Sequence, residues 1–314
     1  MNLFVALRYL VALDDHKHFG RAALACHVTQ PALSNALRAL EEHYGCAIVK
    51  RGRSFEGFSA EGERVLHSAR RMLREQELLD QDLKSRADAP QGHLLVGAVP
   101  TAMPIAARFV ALLQRRHPGI LPTLRSLSSI ELETGLDQLA LDLGLGYTER
   151  MADTRVPLRQ LPQYTEAYFL VRRAEVPVAG GLQMGPPLPW AEAARLPLCL
   201  LSPEMHNRRI IDRAFAEARA EVRPAIESNS TLTLVTAVLA GSVCSVLPGA
   251  LLGTVLEHGG LEARPLSHPE VRIPIAFMLH SASRPSRTLE AALQLAQEPE
   301  WLAQAARHSG ALRD

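Results

Sequence analysis

The stretch "TQPALSNALRALEEHYG" places polar side chains at helical spacing, opposite a row of leucines. These side chains are Gln30, Ser34, Asn35 and Arg38. Gln, Asn and Arg can hydrogen-bond base edges in the major groove of DNA, and that groove is wide enough to admit an α-helix. The chemistry that this face could perform is therefore base recognition, although a generic helical hairpin with a solvated face would show a similar pattern.

The segments around this face predict a helix–turn–helix. Apolar residues at helical spacing predict a first amphipathic helix near the N-terminus, and residues 19–28 predict a short second helix. Thr29 then stands at an N-cap position, Pro31 falls in the first turn of the third helix, and Gly45 ends that helix. The predicted DNA contacts on this helix are Thr29, Gln30, Pro31, Ser34, Asn35 and Arg38.

A small basic hairpin is predicted directly after the third helix. Ile48 and Val49 on one side and Phe55 to Phe58 on the other bracket the segment "KRGR", as the two strands of a β-hairpin would bracket its tip. Lys50, Arg51 and Arg53 would lie there over phosphates or in a minor groove. The hairpin is therefore predicted to add affinity for the DNA backbone.

The next segment predicts a long helix that ends at about residue 87. Val65, Met72 and Leu79 repeat every seven residues, which is the pattern of helices that pack along a seam. A helix of this length normally needs a partner helix, so we expect dimerisation. The segment "ADAPQG", residues 87–92, then predicts a linker.

Beyond the linker, short apolar strands alternate with helices, which predicts an α/β domain with largely parallel sheets. Hydroxyl side chains stand where helices should begin, at Thr101, Ser129 and Ser230. Each hydroxyl could cap its helix or contact a ligand in a shared cleft. The residues alone leave both interpretations open.

Composition excludes several classes of protein. The chain has 314 residues, enough for two or three domains, and its net charge of +1 argues against a large basic surface. The four cysteines are scattered without a C-x-x-C pair. This spacing argues against a disulfide framework or a zinc site and suits a reducing cytoplasm.

Membrane and enzyme functions are not expected either. The apolar run near the N-terminus is too short to span a bilayer and contains Arg8, so neither a membrane segment nor a signal peptide is predicted. No nucleophile–base pair, phosphate-binding glycine loop or metal-ligand cluster stands out in the sequence. We therefore expect a cytoplasmic protein that is not an enzyme and has no catalytic residues, cofactor or metal site.

The segments "FGRAALACHVTQPALSNALRALEEHYG", "IVKRGR" and "FSAEGE" resemble the winged helix–turn–helix of LysR-type transcriptional regulators. The rest of the chain is similar to their effector domain in length and in strand–helix order. The resemblance implies an all-α winged helix–turn–helix over residues 1–60, a linker and dimerisation helix over 61–90, and an α/β effector domain over 91–314. That domain would resemble periplasmic binding proteins, with subdomain I over about 92–162 and 268–300 and subdomain II over about 163–267.

The resemblance also implies partners and a ligand. A homodimer joined through the linker helix would assemble into a homotetramer on promoter DNA and act as an activator, with RNA polymerase as a further partner. A small carboxylate or other anion would bind between the subdomains and modulate promoter binding. The cleft residues that the resemblance marks are Thr101, Ala102, Ser128, Ser129, His206, Asn229 and Ser230. His206 could pair with an anion or be an ordinary satisfied histidine.

Two features depart from the family pattern. Arg53 in the hairpin falls one position earlier than the family's second arginine. The N-terminal helices resemble the peroxide-sensing branch most, which carries a reactive cysteine in the loop after an "LCLL"-type strand and a resolving cysteine soon after it. In this chain the reactive position falls on His206, and Cys199 and Cys244 lie in the apolar strands "LPLCLL" and "VCSVLP", where a thiol stays protonated. A disulfide switch is therefore not expected.

Three interpretations remain open at this stage. The favoured one is a regulator controlled by a small anion, because Arg208 and Arg209 make the loop after "LCLL" electropositive. A resemblance to regulators found beside formate dehydrogenase operons also suggests a small carboxylate. The alternatives are a thiol-based redox regulator that uses Cys199 or Cys244, and a solute-binding protein or enzyme with an accidental N-terminal hairpin.

Overall fold

The computed structural model describes residues 2–50, 52, 54–84, 89–150, 157–176, 181–281 and 285–309. Two compact units make up the chain, the first over residues 1–85 and the second over most of residues 86–314. Within the described residues, the helices of the N-terminal unit are α1 (Leu3–His16), α2 (Phe19–Ala25), α3 (Gln30–Tyr44) and α4 (Ala60–Lys84).

Local capping sets the ends of the first three helices. Asn2 and His18 cap α1 and α2 through side-chain acceptors, and Thr29 Oγ1 accepts a hydrogen bond from the amide of Ala32 at the start of α3. Gly45, with φ of 65°, ends α3 in the left-handed region, as predicted. Helix α2 ends at Ala25, three residues earlier than predicted, because the chain turns at residue 27 toward the cap of α3.

The predicted hairpin is reduced to a short wing. Val49 and Phe58 form one antiparallel bridge, flanked by hydrogen bonds from the Lys50 amide to the Gly57 carbonyl and from the Ser59 amide to the Ile48 carbonyl. The start of α4 approaches this wing closely: a Cβ at Gly62 would stand 2.1 Å from the Ile48 carbonyl oxygen. A glycine is therefore needed where α4 crosses the wing.

Helix α4 changes its environment along its length. Leu66 and Ala69 are buried in the core of the N-terminal unit with the leucines of α1 and α3. Further along, the side chains of Met72, Leu79 and Leu83 are exposed, with Leu83 at 77%. The second half of α4 thus presents apolar side chains that the N-terminal unit itself does not cover.

Two mixed sheets form the C-terminal unit. The first has the strand order β2-β1-β3-β12-β4, and the second has the order β6-β11-β5-β10-β8-β9 with β7 beside β11. The strands are β1 (Gly92–Ala98), β2 (Ile120–Ser126), β3 (Leu143–Tyr147), β4 (Leu158–Glu166), β5 (Tyr168–Arg173), β6 (Gln183–Met184), β7 (Leu188–Pro189), β8 (Leu198–Leu201), β9 (Ile226–Ser228), β10 (Cys244–Pro248), β11 (Leu261–Ser267) and β12 (Ile273–His280). The helices are α5 (Met103–Arg116), α6 (Ser129–Asp137), α7 (Trp190–Ala193), α8 (His206–Glu217), α9 (Thr231–Ala240), α10 (Gly249–Leu252), α11 (Arg287–Leu295) and α12 (Pro299–His308).

Parallel pairing predominates among the described residues, as expected: six strand pairs are parallel and four are antiparallel. Strand β12 runs antiparallel to β3 and β4, and β5 runs antiparallel to β10 and β11. These antiparallel strands belong to the two places where the chain passes from one sheet to the other. A doubly crossed two-sheet domain therefore needs mixed pairing where its subdomains join.

The boundary between subdomains lies later than predicted. Strand β4 stays paired with β12 as far as Glu166, opposite Ile273, so the first crossing is at Ala167 rather than after residue 162. The chain returns to the first sheet between Ser267 and Ile273. Subdomain I also continues beyond residue 300, because α12 packs on β4.

Candidate DNA interface and effector cleft

The predicted recognition face lies on the outside of α3. Gln30, Asn35 and Arg38 are exposed, Ser34 is half-buried, and Thr29 and Pro31 are exposed at the N-terminal end of the helix. Arg38 Nη1 donates a hydrogen bond to Asn35 Oδ1 at 3.2 Å, which aligns the two side chains on one surface. The leucines that oppose this face are buried. The arrangement is the one that the helical spacing predicted.

Glu41 fixes the wing to the recognition helix, a role that sequence reasoning missed. Its Oε1 accepts hydrogen bonds from the amides of Ile48 and Val49 at 2.8 and 3.0 Å. A groove of about 360 Å³ lies between α3 and the wing, with Arg38 and Lys50 among its lining residues. Two further predicted contacts, Arg51 and Arg53, lie outside the described residues.

A cleft in the C-terminal unit brings together several predicted effector residues. It encloses about 40 Å³, enough for a few waters or a small ligand, since one water needs roughly 10–15 Å³. Four of the seven predicted residues line it, namely Thr101, Ser128, Ser129 and His206. The other lining residues are Val99, Pro100, Ile130, Tyr147, Arg150, Glu204, Met205, Asn207 and Arg209.

The remaining predicted residues lie elsewhere. Ala102 is fully buried in the core, where its methyl group packs with apolar neighbours instead of facing the cleft. Asn229 and Ser230 lie before α9 and are not among the cleft-lining residues. Ser230 occupies the N-cap position but forms no side-chain cap, so neither of its two predicted roles is seen.

Helix N-termini point at the cleft from both subdomains. At α6, Ser128 and Glu131 form a reciprocal capping box, with Ser128 Oγ accepting from the Glu131 amide at 3.2 Å and Glu131 Oε2 accepting from the Ser128 amide at 2.8 Å. Helix α8 begins at His206 without any side-chain cap. Its first amide groups, with the positive end of the helix dipole, are therefore free to bind an anion.

The hydroxyl of Thr101 serves neither as a cap nor as a free ligand group. It forms a buried hydrogen bond with the Tyr147 hydroxyl at 2.7 Å. Burial raises the pKa of Tyr147 far above its ordinary value, so this phenol stays protonated. The pair thus forms a neutral polar floor for the cleft.

His206 is held between a carboxylate and an aromatic ring. Its Nε2 lies 3.0 Å from Glu149 Oε1, and its ring centroid lies 4.7 Å from that of Tyr147. Burial is the main cause of the lowered pKa of His206, and it outweighs the opposite effect of the Glu149 hydrogen bond. The imidazole is therefore neutral near pH 7.

The two arginines of this loop have different roles. Arg208 is buried and donates to Asp212, to the Leu201 carbonyl and to Glu227, so its charge is neutralised inside the subdomain. Arg209 is exposed and lines the cleft. Of these two arginines, only Arg209 therefore gives the cleft the positive charge that was expected of this loop.

The geometry of Cys199 and Cys244 prevents them from pairing with each other. Cys244 is in register with Leu198 on the neighbouring strand, and Cys199 is in register with Ser245. Because side chains alternate along a strand, the two thiols face opposite sides of the sheet and lie in separate core clusters. Burial raises the pKa of both thiols, which disfavours the reactive thiolate.

A buried carboxyl group at the end of β4 was not predicted. Glu166 is fully buried at the end of β4, and among the described residues neither of its oxygens has a hydrogen-bond partner. The carboxyl group interacts electrostatically with three buried tyrosines, namely Tyr147, Tyr164 and Tyr168. Burial raises its pKa to about 8, so the group is mostly protonated at neutral pH.

Two kinds of feature are absent from the described residues. No helix there is long and apolar enough to cross a membrane. Nor does that part of the chain contain a group of three or more His, Cys, Asp or Glu side chains that could hold a metal ion.

Comparisons with known proteins agree with this architecture. Residues 4–63 match the bacterial regulatory helix-turn-helix proteins of the LysR family, and residues 87–299 match the LysR substrate binding domain. A hydrogen peroxide-inducible genes activator from Pectobacterium carotovorum subsp. carotovorum is 28% identical over 286 residues, which cover 88% of this chain and 90% of that protein.

Solved structures share the fold over the whole chain. A full-length OxyR variant from Pseudomonas aeruginosa matches with a TM-score of 0.67 at 24% identity and covers 100% of both chains. Full-length CbnR complexed with its target DNA matches with a TM-score of 0.61 at 18% identity, covering 96% of this chain and 99% of that one. The match to the LysR substrate binding domain alone spans residues 87–299, which is more than half of the chain. This protein therefore belongs to the LysR family of DNA-binding transcriptional regulators, and its C-terminal domain is the effector-binding domain of that family.

Proposed function

We propose that a small anion bound in the C-terminal cleft controls how this regulator acts at its promoter. The observation that carries the proposal is the convergence of the uncapped N-terminus of α8 with the exposed guanidinium of Arg209 on one cleft. Both features favour negative charge. The N-terminus of α6 faces the same cleft from the other subdomain, so an anion there would contact both subdomains and favour the closed arrangement.

We further propose how the N-terminal unit contacts DNA. Helix α3 would enter the major groove with its polar face toward the bases, and the wing would lie over phosphates. The proposed contacts are Thr29, Gln30, Pro31, Ser34, Asn35, Arg38, Lys50, Arg51 and Arg53. The apolar side chains exposed on α4 support pairing of two such helices, and two dimers would form a tetramer acting on chromosomal DNA in the cytoplasm.

Thermal melts of the full-length protein test the effector proposal. Formate, acetate, sulfate and phosphate are the probes, and an anion at a hundred times its dissociation constant should stabilise the protein by about 2.7 kcal/mol. Arg209→Gln should reduce that stabilisation strongly, whereas Arg213→Gln, an exposed arginine of the same helix outside the cleft lining, should not. Equal responses of the two variants would show that the anion binds somewhere else.

Salt-dependent binding tests the DNA interface. Duplexes selected from a random pool provide the ligand, and Arg38→Ala should lower specific affinity by about 1–3 kcal/mol if Arg38 contacts a base. Lys50→Ala should reduce the salt slope by about 1, as the loss of one phosphate contact does. Arg223→Ala serves as a control, because Arg223 is 90% exposed and lies in the other unit.

A thiol-based peroxide response is the second candidate. The peroxide-inducible relative favours it, since it is 28% identical over 88% of this chain. The burial of Cys199 and Cys244 and their placement on opposite faces of one sheet weigh against it. Cys199→Ser and Cys244→Ser decide the matter: the anion proposal expects an unchanged promoter response in both, and a thiol switch expects its loss in one.

A further inference from the structure

Two buried hydrogen-bond acceptors at the start of α8 have no donor among the described residues. They are Nδ1 of His206 and Oδ1 of Asn207, and both residues line the cleft. Buried polar atoms in folded proteins are nearly always hydrogen-bonded. Two adjacent acceptors without donors in a ligand cleft therefore indicate that the ligand supplies a hydrogen-bond donor.

The side-chain amide of Asn207 has a hydrogen-bond partner at its nitrogen but none at its oxygen among the described residues. The residue is only 3% exposed, and its Nδ2 donates to the Tyr168 hydroxyl at 3.0 Å. In this orientation of the amide, the carbonyl oxygen is buried and has no donor among the described residues. The carbonyl oxygen is then the end that remains for a ligand, and it can only accept.

The imidazole of His206 also presents an acceptor. Its Nε2 faces Glu149 Oε1 at 3.0 Å, and an ionised carboxylate only accepts hydrogen bonds, so Nε2 carries the proton. Burial keeps the pKa of His206 below its ordinary value, so the ring is neutral and Nδ1 bears a lone pair. The Arg150 guanidinium donates to Glu133 through Nε and Nη2, and no described residue donates to His206 Nδ1.

We propose that the effector is a small hydroxycarboxylate. Its carboxylate would bind the free amides of α8 beside Arg209, and its hydroxyl would donate to Asn207 Oδ1 or His206 Nδ1. This assignment rests on the proposed function, namely that an anion binds in this cleft. The small volume of the cleft, about 40 Å³, favours a molecule of few non-hydrogen atoms.

A simple carboxylate satisfies this cleft only in part. It pairs with the positive groups but leaves both acceptors without a donor, and a site with buried polar groups discriminates strongly against an analogue that cannot pair with them. A neutral donor such as hydrogen peroxide has the opposite defect, because it leaves Arg209 and the helix N-terminus without an anion. A hydroxyl two bonds from a carboxylate carbon supplies both kinds of partner within a short span.

The test compares pairs of acids that differ only in the donor. Glycolate is matched by propionate and lactate by isobutyrate, since each control replaces the hydroxyl with a methyl group of similar size. Dissociation constants are measured by titration calorimetry on the full-length protein at pH 7. We expect each hydroxy acid to bind at least tenfold more tightly than its control.

Variants separate the contribution of the acceptors from that of the anion site. The hydroxyl carries one proton, so the preference for glycolate over propionate should be lost in one of the two variants Asn207→Leu and His206→Phe, while acetate still binds both. The comparison of each hydroxy acid with its methyl control in the wild-type protein needs neither variant. Arg209→Gln should weaken glycolate, propionate and acetate alike.

Each outcome decides a different question. Equal or tighter binding of the methyl controls, or no binding of either hydroxy acid while acetate binds, overturns the hydroxycarboxylate assignment and leaves the anion site standing. Absence of binding by every carboxylate, with melts that respond to hydrogen peroxide alone, overturns the assignment and the anion site together.

Discussion

Replacing Glu166 with glutamine should change how the stability of this protein depends on pH. The side chain is fully buried without a hydrogen-bond partner among the described residues, and burial raises its pKa from 4.5 to about 8. In the folded state the carboxyl therefore keeps its proton up to about pH 8, whereas the unfolded chain loses it near pH 4.5. Between these values the unfolded state binds fewer protons, so stability falls as pH rises.

The magnitude follows from the separation of the two pKa values. They differ by about 3.5, and each pKa unit corresponds to 1.36 kcal/mol, so the loss over the whole window is about 5 kcal/mol. Full stability is present below pH 4.5, and about 3 kcal/mol of it is gone by pH 7. Glutamine has nearly the same shape as glutamic acid but does not titrate. The decrease in stability with rising pH that Glu166 causes should therefore vanish in Glu166→Gln.

Thermal melts of both proteins from pH 5 to pH 7.5 provide the assay. Relative to wild type, the variant should gain about 3 kcal/mol across that range, or roughly 6–12 °C in Tm for a unit of this size. Glu270→Gln, an exposed carboxylate of the same unit, controls for the loss of one negative charge. Parallel curves for wild type and Glu166→Gln would refute the reasoning, because they would mean that Glu166 is ionised in the folded state.

Three further substitutions test the N-terminal unit. Glu41→Gln should destabilise it by about 1–2 kcal/mol in thermal melts, because the hydrogen bonds from the amides of Ile48 and Val49 lose their charged acceptor. Gly62→Ala should destabilise it by about 1–3 kcal/mol, since the new Cβ would stand 2.1 Å from the Ile48 carbonyl oxygen, and an unchanged melting temperature would contradict that contact. Leu83→Glu should shift the assembly toward monomers in sedimentation velocity, because the 77% exposed leucine would no longer offer apolar surface to a partner helix; an unchanged sedimentation coefficient would count against pairing there.

The DNA-binding helices could be predicted because their signals are local. The cap at Thr29 and the left-handed Gly45 each act within one turn of α3, so the residues on either side are enough to identify them. At α6 the sequence placed the possible cap at Ser129, whereas Ser128, one residue earlier, forms the capping box with Glu131. When a hydrogen bond joins residues only a few positions apart, the residue types and their spacing are enough to predict it to within a residue.

The floor of the cleft could not be predicted in this way, because its partners are distant in the chain. Thr101 stands before a helix just as Ser128 does, yet it bonds Tyr147, 46 residues later. Glu166 ends a strand that contains several polar residues, and its charge alone would predict that it faces solvent. Only the pairing of β4 with β12, which brings Glu166 opposite Ile273, buries it.

These distant contacts also connect the cleft to the strands that join the subdomains. Tyr147 packs against His206 in the cleft, and in the first sheet it stands opposite Ile275, which in turn stands opposite Tyr164 on β4. Two residues after Tyr164, on the same face of β4, comes the buried carboxyl at the crossing. A ligand in the cleft that contacted Tyr147 would therefore touch one end of the series of paired residues that leads to this carboxyl. For that reason a change in the effector affinity of the Glu166→Gln variant would be expected even though Glu166 does not line the cleft.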